Sequence, residues 1–276
     1  MSVKSRKKFK KYIILLALAF LLLGYCTLEP HWVRIKEISI TSSDIPASFD
    51  NKKIIFISDI HHGPYFSVDR VKMIVQRINE LRPDIVVMGG DYCHRERKYI
   101  KPVFDELRKF NSEMGIYAVL GNHDHWEDAE LTRQMMSRNG INICDNRSYW
   151  VKSGKDRIKI GGVGDLWEDI QITDSTTKDV REKDFCILVS HNPDYLEDMN
   201  SNLVDLTLSG HTHGGQITLF GLWAPKVPSK YGQKYRYGLK EFGKMKSYIT
   251  SGIGTITPPV RFFCRPEIVV ITLKTQ

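Results

Sequence analysis

Cysteine is scarce in this chain, and what little there is excludes two kinds of scaffold. Cys26, Cys93, Cys144, Cys186 and Cys264 are scattered without a C-x-x-C pair, which argues against both a disulfide framework and a zinc-thiolate site. Internal repeats and low-complexity tracts are absent too, so neither a solenoid nor a long biased tail is expected. No nucleic-acid-binding module is recognisable, although a formal net charge of +8 would suit a polyanion. Much of that charge is local: Lys4, Arg6, Lys7, Lys8, Lys10 and Lys11 supply most of the excess. Nucleic acid is therefore not expected as a partner, and phosphate-bearing lipid headgroups are the better candidates for an anionic one.

Those cations lead into Tyr12 to Leu28 (YIILLALAFLLLGYCTL), an uncharged stretch that reads as a membrane-inserting segment. It is short for a spanning helix and long for the apolar core of a signal peptide. Tyr25 stands where a lipobox before Cys26 would need a small residue, and no A-x-A-like cleavage site follows, so an uncleaved anchor is expected. By the positive-inside rule the amino terminus stays in the cytoplasm and residues 29–276 lie outside. Monotopic insertion would instead leave them on the cytoplasmic face. The run Ser5-Arg6-Lys7-Lys8-Phe9-Lys10 looks like a twin-arginine export signal whose second arginine has become lysine.

With 276 residues, 42% of them hydrophobic, the chain can bury a sizeable core. Apolar patterning predicts strands at Val33–Ile40 and Lys53–Ser58, then an amphipathic helix over Val68–Leu81 that Pro83 ends. A strand Asp84–Met88, a helix near Val103–Phe110, a strand Gly115–Leu120 and a helix near Ala129–Ser137 continue the alternation, which implies a largely parallel first sheet. Farther on, the runs Ile141–Cys144, Tyr149–Val151, Arg157–Ile160, Ile187–Val189, Tyr248–Ser251 and Glu267–Leu273 have little helix between them. They are expected to form a second, mixed sheet packed on the first.

Five short polar motifs carry the chemistry: Ser-Asp59-Ile-His61, Gly90-Asp91, Gly121-Asn122-His123-Asp124, Ser190-His191 and Gly210-His211-Thr-His213. Each follows an apolar run (KIIFIS, DIVVMG, GIYAVL, FCILVS, LTLSG), so the polar residues should project from the carboxyl ends of buried strands, where open α/β sheets place their ligands. Carboxylate, imidazole and carboxamide form a mixed O/N donor set that suits Mn, Fe or Zn, whereas an all-oxygen set favours Mg or Ca. One shared carboxylate can bridge two ions about 3.5–4 Å apart, the separation used for in-line displacement at phosphorus.

The order D-x-H, GD, GNHD, H, GHxH resembles the calcineurin-like metallophosphoesterase family over roughly residues 50–276. The resemblance implies a four-layer α/β/β/α sandwich with residues 51–276 as the catalytic domain, residues 29–50 as connector and first strand, 12–28 as the anchor and 1–11 as a basic segment. It implies two divalent ions (Mn, Fe, Zn or Mg), one held by Asp59, His61, Asp91 and His213, the other by Asp91, Asn122, His191 and His211. His123 would donate a proton to the leaving oxygen, Asp124 would orient its ring, and a hydroxide between the metals would attack the phosphorus. Of the other histidines, His31, His62, His94 and His125 are expected at the rim, and Asp165 in a turn.

GHTHGGQ at residues 210–216 and the tail GIGTITPPVRFFCRPEIVVITL are similar to a membrane-associated bacterial branch that includes UDP-2,3-diacylglucosamine hydrolases and cell-wall phosphodiesterases. Gly214 and Gly215 either let backbone approach the metals or serve a structural turn, and Arg261 either clamps a phosphate oxygen or has a structural, surface salt-bridge role. The stretch Leu219 to Tyr237 interleaves aromatics with Lys226, Lys230, Lys234 and Arg236 and reads as either a membrane-facing rim or a solvated loop. The implied activity is hydrolysis of a lipid-linked phosphodiester or pyrophosphate. Its rivals are an extracytoplasmic wall or glycerophosphodiester phosphodiesterase and a non-catalytic lipid-binding module, against which His123 argues.

Overall fold

The computed structural model describes residues 3–276. Helix α1 (Val3–Leu28) carries the basic segment and the apolar stretch in one piece. It is long and apolar enough to cross a membrane, and Ile13, Leu16, Phe20, Leu21 and Leu23 all stand exposed along it.

The first sheet alternates with helices because its strands are apolar on both faces and both must be covered. Strand β1 (Arg34–Ser42) precedes β2 (Lys53–Ile57), helix α2 (Val68–Glu80), β3 (Ile85–Met88), helix α3 (Ile100–Leu107), β4 (Ile116–Ala118), helix α4 (Asn122–Arg138) and the short β5 (Asn142–Ile143). In β2, Ile55 and Ile57 pack under the helices while Ile54 and Phe56 face the second sheet. Helix α2 starts where Ser67 accepts a hydrogen bond from the Arg70 amide, and it buries Val71, Ile74, Val75 and Ile78. Helix α4 is two segments. Asp128 breaks it with extended backbone, and its carboxylate caps the second segment by accepting the Leu131 amide at 2.8 Å. The helix expected from periodicity, Ala129–Ser137, is that second segment; the first is the polar motif itself, which has no apolar stripe to announce it.

The second sheet takes β6 (Arg147–Ser153), β7 (Asp156–Gly162), β8 (Cys186–Val189), β9 (Leu206–Ser209), β10 (Gly238–Phe242) and β11 (Met245–Ile249), in the spatial order β10-β11-β9-β8-β7-β6. The last strand, β12 (Glu267–Thr275), returns to the first sheet, giving the order β1-β12-β2-β3-β4-β5 with β12 parallel to β1 and antiparallel to β2. This corrects the expectation for Ile141–Cys144 and Glu267–Leu273, whose strands belong to the first sheet. An apolar run marks a strand but not its neighbours. Strand β12 is chosen by β1 and β2 because Ile268 and Val270 fit under the helices while Val269, Ile271 and Leu273 fill the space between the sheets.

Together the layers make the expected α/β/β/α sandwich, with a thin outer layer. Over the second sheet lie a single helical turn, α5 (Asp174–Thr177), and a 3₁₀ segment at Pro193–Glu197, around a small core of Val163, Val180, Leu188 and Tyr195.

Candidate metal centre

The five motifs converge at the carboxyl ends of β2, β3, β4, β8 and β9, at one edge shared by both sheets. The loops after β2 and β3 go on pairing beyond the strands: the His61 amide donates to Asp91 O at 3.0 Å, His62 to Tyr92 O at 2.9 Å and His94 to His62 O at 3.0 Å. The backbone turns left-handed at Asp59 (φ 56°), His61 (φ 49°), Asp91 (φ 57°), His211 (φ 65°) and His213 (φ 50°). Such conformations cost of order 1–3 kcal/mol each in ordinary residues and persist where the surroundings hold them. Here they aim side chains from separate loops at one point.

Seven side chains meet there. Asp59, His61, Asp91, Asn122, His191 and His213 are almost wholly buried, and His211 nearly so. Asp91 Oδ2 lies 3.5 Å from His61 Nε2 and 3.3 Å from His191 Nε2, so one carboxylate oxygen faces both halves of the cluster. In one half, His61 Nε2 and His213 Nε2 are 3.0 Å apart and His213 Nε2 is 3.5 Å from Asp59 Oδ1. In the other, His211 Nδ1 is 3.0 Å from Asn122 Oδ1.

The donor set fits divalent ions. Two imidazole nitrogens each about 2.1 Å from one ion and at right angles around it would stand about 3.0 Å apart, which is the His61–His213 separation. His191 Nδ1 donates to Gly89 O at 2.7 Å, leaving Nε2 buried without a hydrogen bond and turned toward Asp91. A carbonyl holding the far nitrogen in this way is the usual support of a metal-ligating histidine. Burial, joined by neighbouring histidines, holds His61 and His213 well below the ordinary imidazole range and His211 down at about 3. They are neutral, as ligands must be. His191 is the exception. Burial opposes its charge, but Asp91 beside it raises it well above the ordinary value, and Asp91 in turn stays far below the usual carboxylate range. A cation bound there would take the place of that proton. Burial, helped by Asp91, pushes Asp59 up to about 6.

Glycine makes the convergence possible at two places. A Cβ on Gly121 would come within 2.3 Å of Asp91 Oδ1, and one on Gly210 within 2.3 Å of Asp59 Oδ2. Gly214 and Gly215, candidates for this role, instead approach Cys264 and Ala224. Of the two readings of Arg261 the structural one fits: it is wholly buried, not on the surface, and its guanidinium donates to the carbonyls of Ser251, Gly254 and Cys264, so it holds the carboxyl-terminal segment together rather than gripping phosphate.

Asp124 does not orient the His123 ring. Its carboxylate accepts the amides of Asp91 at 2.7 Å, Tyr92 at 2.9 Å and Gly121 at 2.9 Å, locking two motif loops together, and burial together with the Asp91 charge pushes it up to about 8. His94 takes the expected role, with its Nδ1 3.2 Å from His123 Nδ1. Arg95 Nε donates to His94 Nε2 at 3.2 Å. Arg95 can only donate, so His94 carries its proton on Nδ1 and gives it to His123 Nδ1, which leaves the His123 proton on Nε2. Burial and the neighbouring His123 and Arg95 charges bring His94 down to about 4. His61, His94 and His123 also present nitrogens within 4.8 Å of one another, but the Arg95 cation on His94 disfavours a second cation there. The rim position expected for His94 is thereby corrected; in the sequence its place three residues after Asp91 is the one hint of this role.

The other histidines do not join the cluster. His62 is buried, holding Phe66 O at 2.7 Å and packing edge-on to Tyr99, which is a structural role and not a rim position. His31 is exposed beside Val33 and Arg70, and His125 is half-buried near Asp165 and Arg133. Asp165 is the expected turn residue, accepting the Trp167 and Glu168 amides.

Above the cluster opens a cavity of about 150 Å³ lined by Asp91, Asn122, His123, His211, His213, Pro228, Ile256 and two tryptophans. Trp126 packs on His123 and Trp167 on His211, and the two indoles lie near-parallel with centroids 6.5 Å apart. No periodic signal in the sequence pointed to either. A second, more apolar cavity of about 310 Å³ adjoins it, sharing His213, Pro228 and Ile256 and extending to Ile217, Pro225 and Pro258.

Residues 52–215 match the family model for calcineurin-like phosphoesterases. The chain is 35% identical to the metallophosphoesterase YkuE of Bacillus subtilis, over 91% of this chain and 90% of that one. It is 28% identical to the phosphodiesterase YaeI of Escherichia coli, over 90% of each, and 28% identical to a zebrafish (Danio rerio) transmembrane protein with a metallophosphoesterase domain, over 87% of this chain and 57% of that one. Among solved structures, the Haemophilus influenzae NAD nucleotidase shares the fold, with a TM-score of 0.50 and 14% identity over 73% of this chain and 45% of that one. A buried cluster built to hold two divalent ions at the strand ends, in a chain whose motifs keep the family order, is what the matched family uses on phosphoesters: the protein is a phosphoester hydrolase and belongs to the calcineurin-like phosphoesterase family.

Proposed function

We propose that this hydrolase is a membrane-anchored, dinuclear phosphodiesterase or pyrophosphatase acting on a lipid-linked phosphoester, with a UDP-2,3-diacylglucosamine-like pyrophosphate as the leading substrate. The observation that carries the dinuclear reading is the single Asp91 oxygen facing His61 on one side and His191 on the other. Asp59, His61, Asp91 and His213 would hold one ion, and Asp91, Asn122, His191 and His211 the other. Bound there, a pair of divalent ions supplies Lewis acidity toward a phosphoryl oxygen and lowers the pKa of water to about 7.

The remaining work falls to the chain's own residues. His123, its proton held on Nε2 by His94, donates to the leaving oxygen. Asp124 keeps the Asp91 and Gly121 loops in register. Trp126 and Trp167 flank the cavity and offer flat faces to a ring of the leaving group. The neighbouring apolar cavity is suited to the start of an acyl chain.

The test is release of UMP from UDP-2,3-diacylglucosamine by detergent-solubilised, Mn-loaded protein, beside His123→Ala and a bis-aryl phosphodiester. Rapid UMP release that the substitution abolishes is expected; turnover of the aryl diester alone would remove the nucleotide-lipid substrate. A wall polymer or glycerophosphodiester as substrate is the second reading, and the basic residues ahead of the apolar segment favour it, because they direct the domain outward. A carboxyl-terminal reporter active only outside the cytoplasm would decide for that reading.

A further inference from the structure

A tight hairpin at residues 217–223 projects an apolar surface that is left largely exposed among the described residues. Leu222 is 82% exposed, Phe220 69%, Leu219 57% and Trp223 50%. Its shape is fixed from below. The Leu219 amide donates to Trp223 O at 2.7 Å, Thr218 Oγ1 donates to the carbonyls of Phe262 and Phe263 and accepts the Gly221 amide, and the Arg236 guanidinium holds Gly221 O and Gly214 O. Phe220 and Phe263 both have left-handed backbone, φ 52° and 49°. Bulky residues rarely adopt it. The fold thus sustains a strained backbone in order to hold rings out in water, in a patch of the kind that marks an interaction site.

The position of the patch names its partner. Tyr25, in the last turn of α1, packs on Phe262 and Phe263 with centroids 5.7 and 5.5 Å away, and Phe263 packs on Phe220 at 5.2 Å. The Arg261 amide donates to Cys26 O at 3.0 Å, tying the same segment to the helix end. The hairpin is therefore joined through one aromatic contact chain to the end of the apolar helix, and the exposed Lys226 and Lys230 follow it in sequence, as befits a surface meeting anionic headgroups.

We propose that the hairpin 217–223 is a second membrane contact, inserted into the interfacial layer of the same bilayer that holds α1. The proposal rests on α1 lying in a membrane. It deepens the reading of a lipid-linked substrate, because Ile217 at the hairpin's base lines the apolar cavity that shares His213, Pro228 and Ile256 with the metal cavity. A phosphoester still seated in the bilayer would reach the metals past Ile217.

The test uses the full chain in vesicles containing anionic phospholipid, with Cys26→Ala removing the one cysteine that is not buried. An environment-sensitive fluorophore is placed singly at Leu222→Cys, at Leu18→Cys within α1, and at Lys155→Cys in the β6–β7 turn. The expected result is a blue-shifted Leu222 probe, quenched by bromine on the lipid acyl chains and shielded from iodide, as at Leu18, while the Lys155 probe answers to iodide alone. A Leu222 probe open to iodide while the Leu18 probe is buried would overturn the proposal, as would ready disulfide capture between two copies of the unlabelled Leu222→Cys protein in the same vesicles. Iodide quenching at both sites would overturn the anchor and the proposal together. A paired measurement keeps the surface separate from the chemistry: Leu222→Glu/Trp223→Glu should raise KM for a phosphoester presented in vesicles and leave turnover of a soluble aryl diester unchanged. Equal loss on both substrates would also count against it.

Discussion

Two neighbouring regions of the catalytic domain, the metal cluster and the hairpin beside it, both hold left-handed backbone, yet they resolve it differently. At the metal cluster, the left-handed residues Asp59, Asp91 and His211 turn polar side chains inward, and amides and carboxylates of neighbouring loops satisfy most of them. At the hairpin, Phe220 and Phe263 turn rings outward; Phe263 is braced by Phe262 and by Tyr25 of α1, while Phe220 rests on Phe263. One site gathers buried candidate ligands among which divalent ions would fit, the other an exposed apolar face that the proposed bilayer contact would cover. The difference shows how strain can be read: the side chains a strained backbone presents tell what is missing.

Breaking the metal cluster should have the largest effect. Asp91→Ala removes the one oxygen that both halves share, and we expect loss of bound metal from both positions, read by elemental analysis, with hydrolysis at background. His123→Ala should lower kcat by about 10²–10⁴ with metal content unchanged; a loss of metal would show that His123 is a ligand. His94→Ala should cost about 10–100-fold, as for other groups that orient a working histidine, and alter the basic limb of the pH–rate profile, since His123 would then be free to change tautomer.

The pH dependence of metal loading sharpens the same comparison. Asp59 has its pKa raised to about 6 and must be ionised to bind a cation, so lowering the pH through 6 protonates it and weakens metal affinity by about tenfold per unit. Isothermal titration in two buffers of different ionisation enthalpy should show proton release on binding already at neutral pH, from His191, and a further increase as the pH falls through 6 and Asp59 becomes protonated. The smallest effect is expected at the hairpin: Leu222→Ser should change the stability of the detergent-solubilised protein by less than about 0.5 kcal/mol, measured by chemical denaturation, because no packing is lost.

Much of the site was legible because its signals are local. Each ligand follows a run of apolar residues, and the ends of buried strands gather at one edge whatever the details of packing. The two sheets were legible as strands but not as neighbours. Glu267–Thr275 reads as an apolar run anywhere, and only the fit of Ile268 and Val270 under the helices makes it the partner of β1 and β2. Arg261 is a residue whose sequence left a phosphate clamp and a structural role equally open, and only the fold decides, by giving its guanidinium three backbone carbonyls.

What the sequence determined by itself is the set of candidates for the reaction machinery: seven possible ligands, His123 as the proposed proton donor and an apolar helix, because donor type, strand-end position and hydrophobic length are properties of short segments. What only the tertiary structure decided is who serves whom. His94 rather than Asp124 reaches the His123 ring, Gly121 and Gly210 rather than Gly214 and Gly215 let the ligands close, and Phe220 finds the end of α1 through Phe263 and Tyr25. Those are contacts between residues far apart in the chain, set by how the two sheets pack, and no local pattern encodes them.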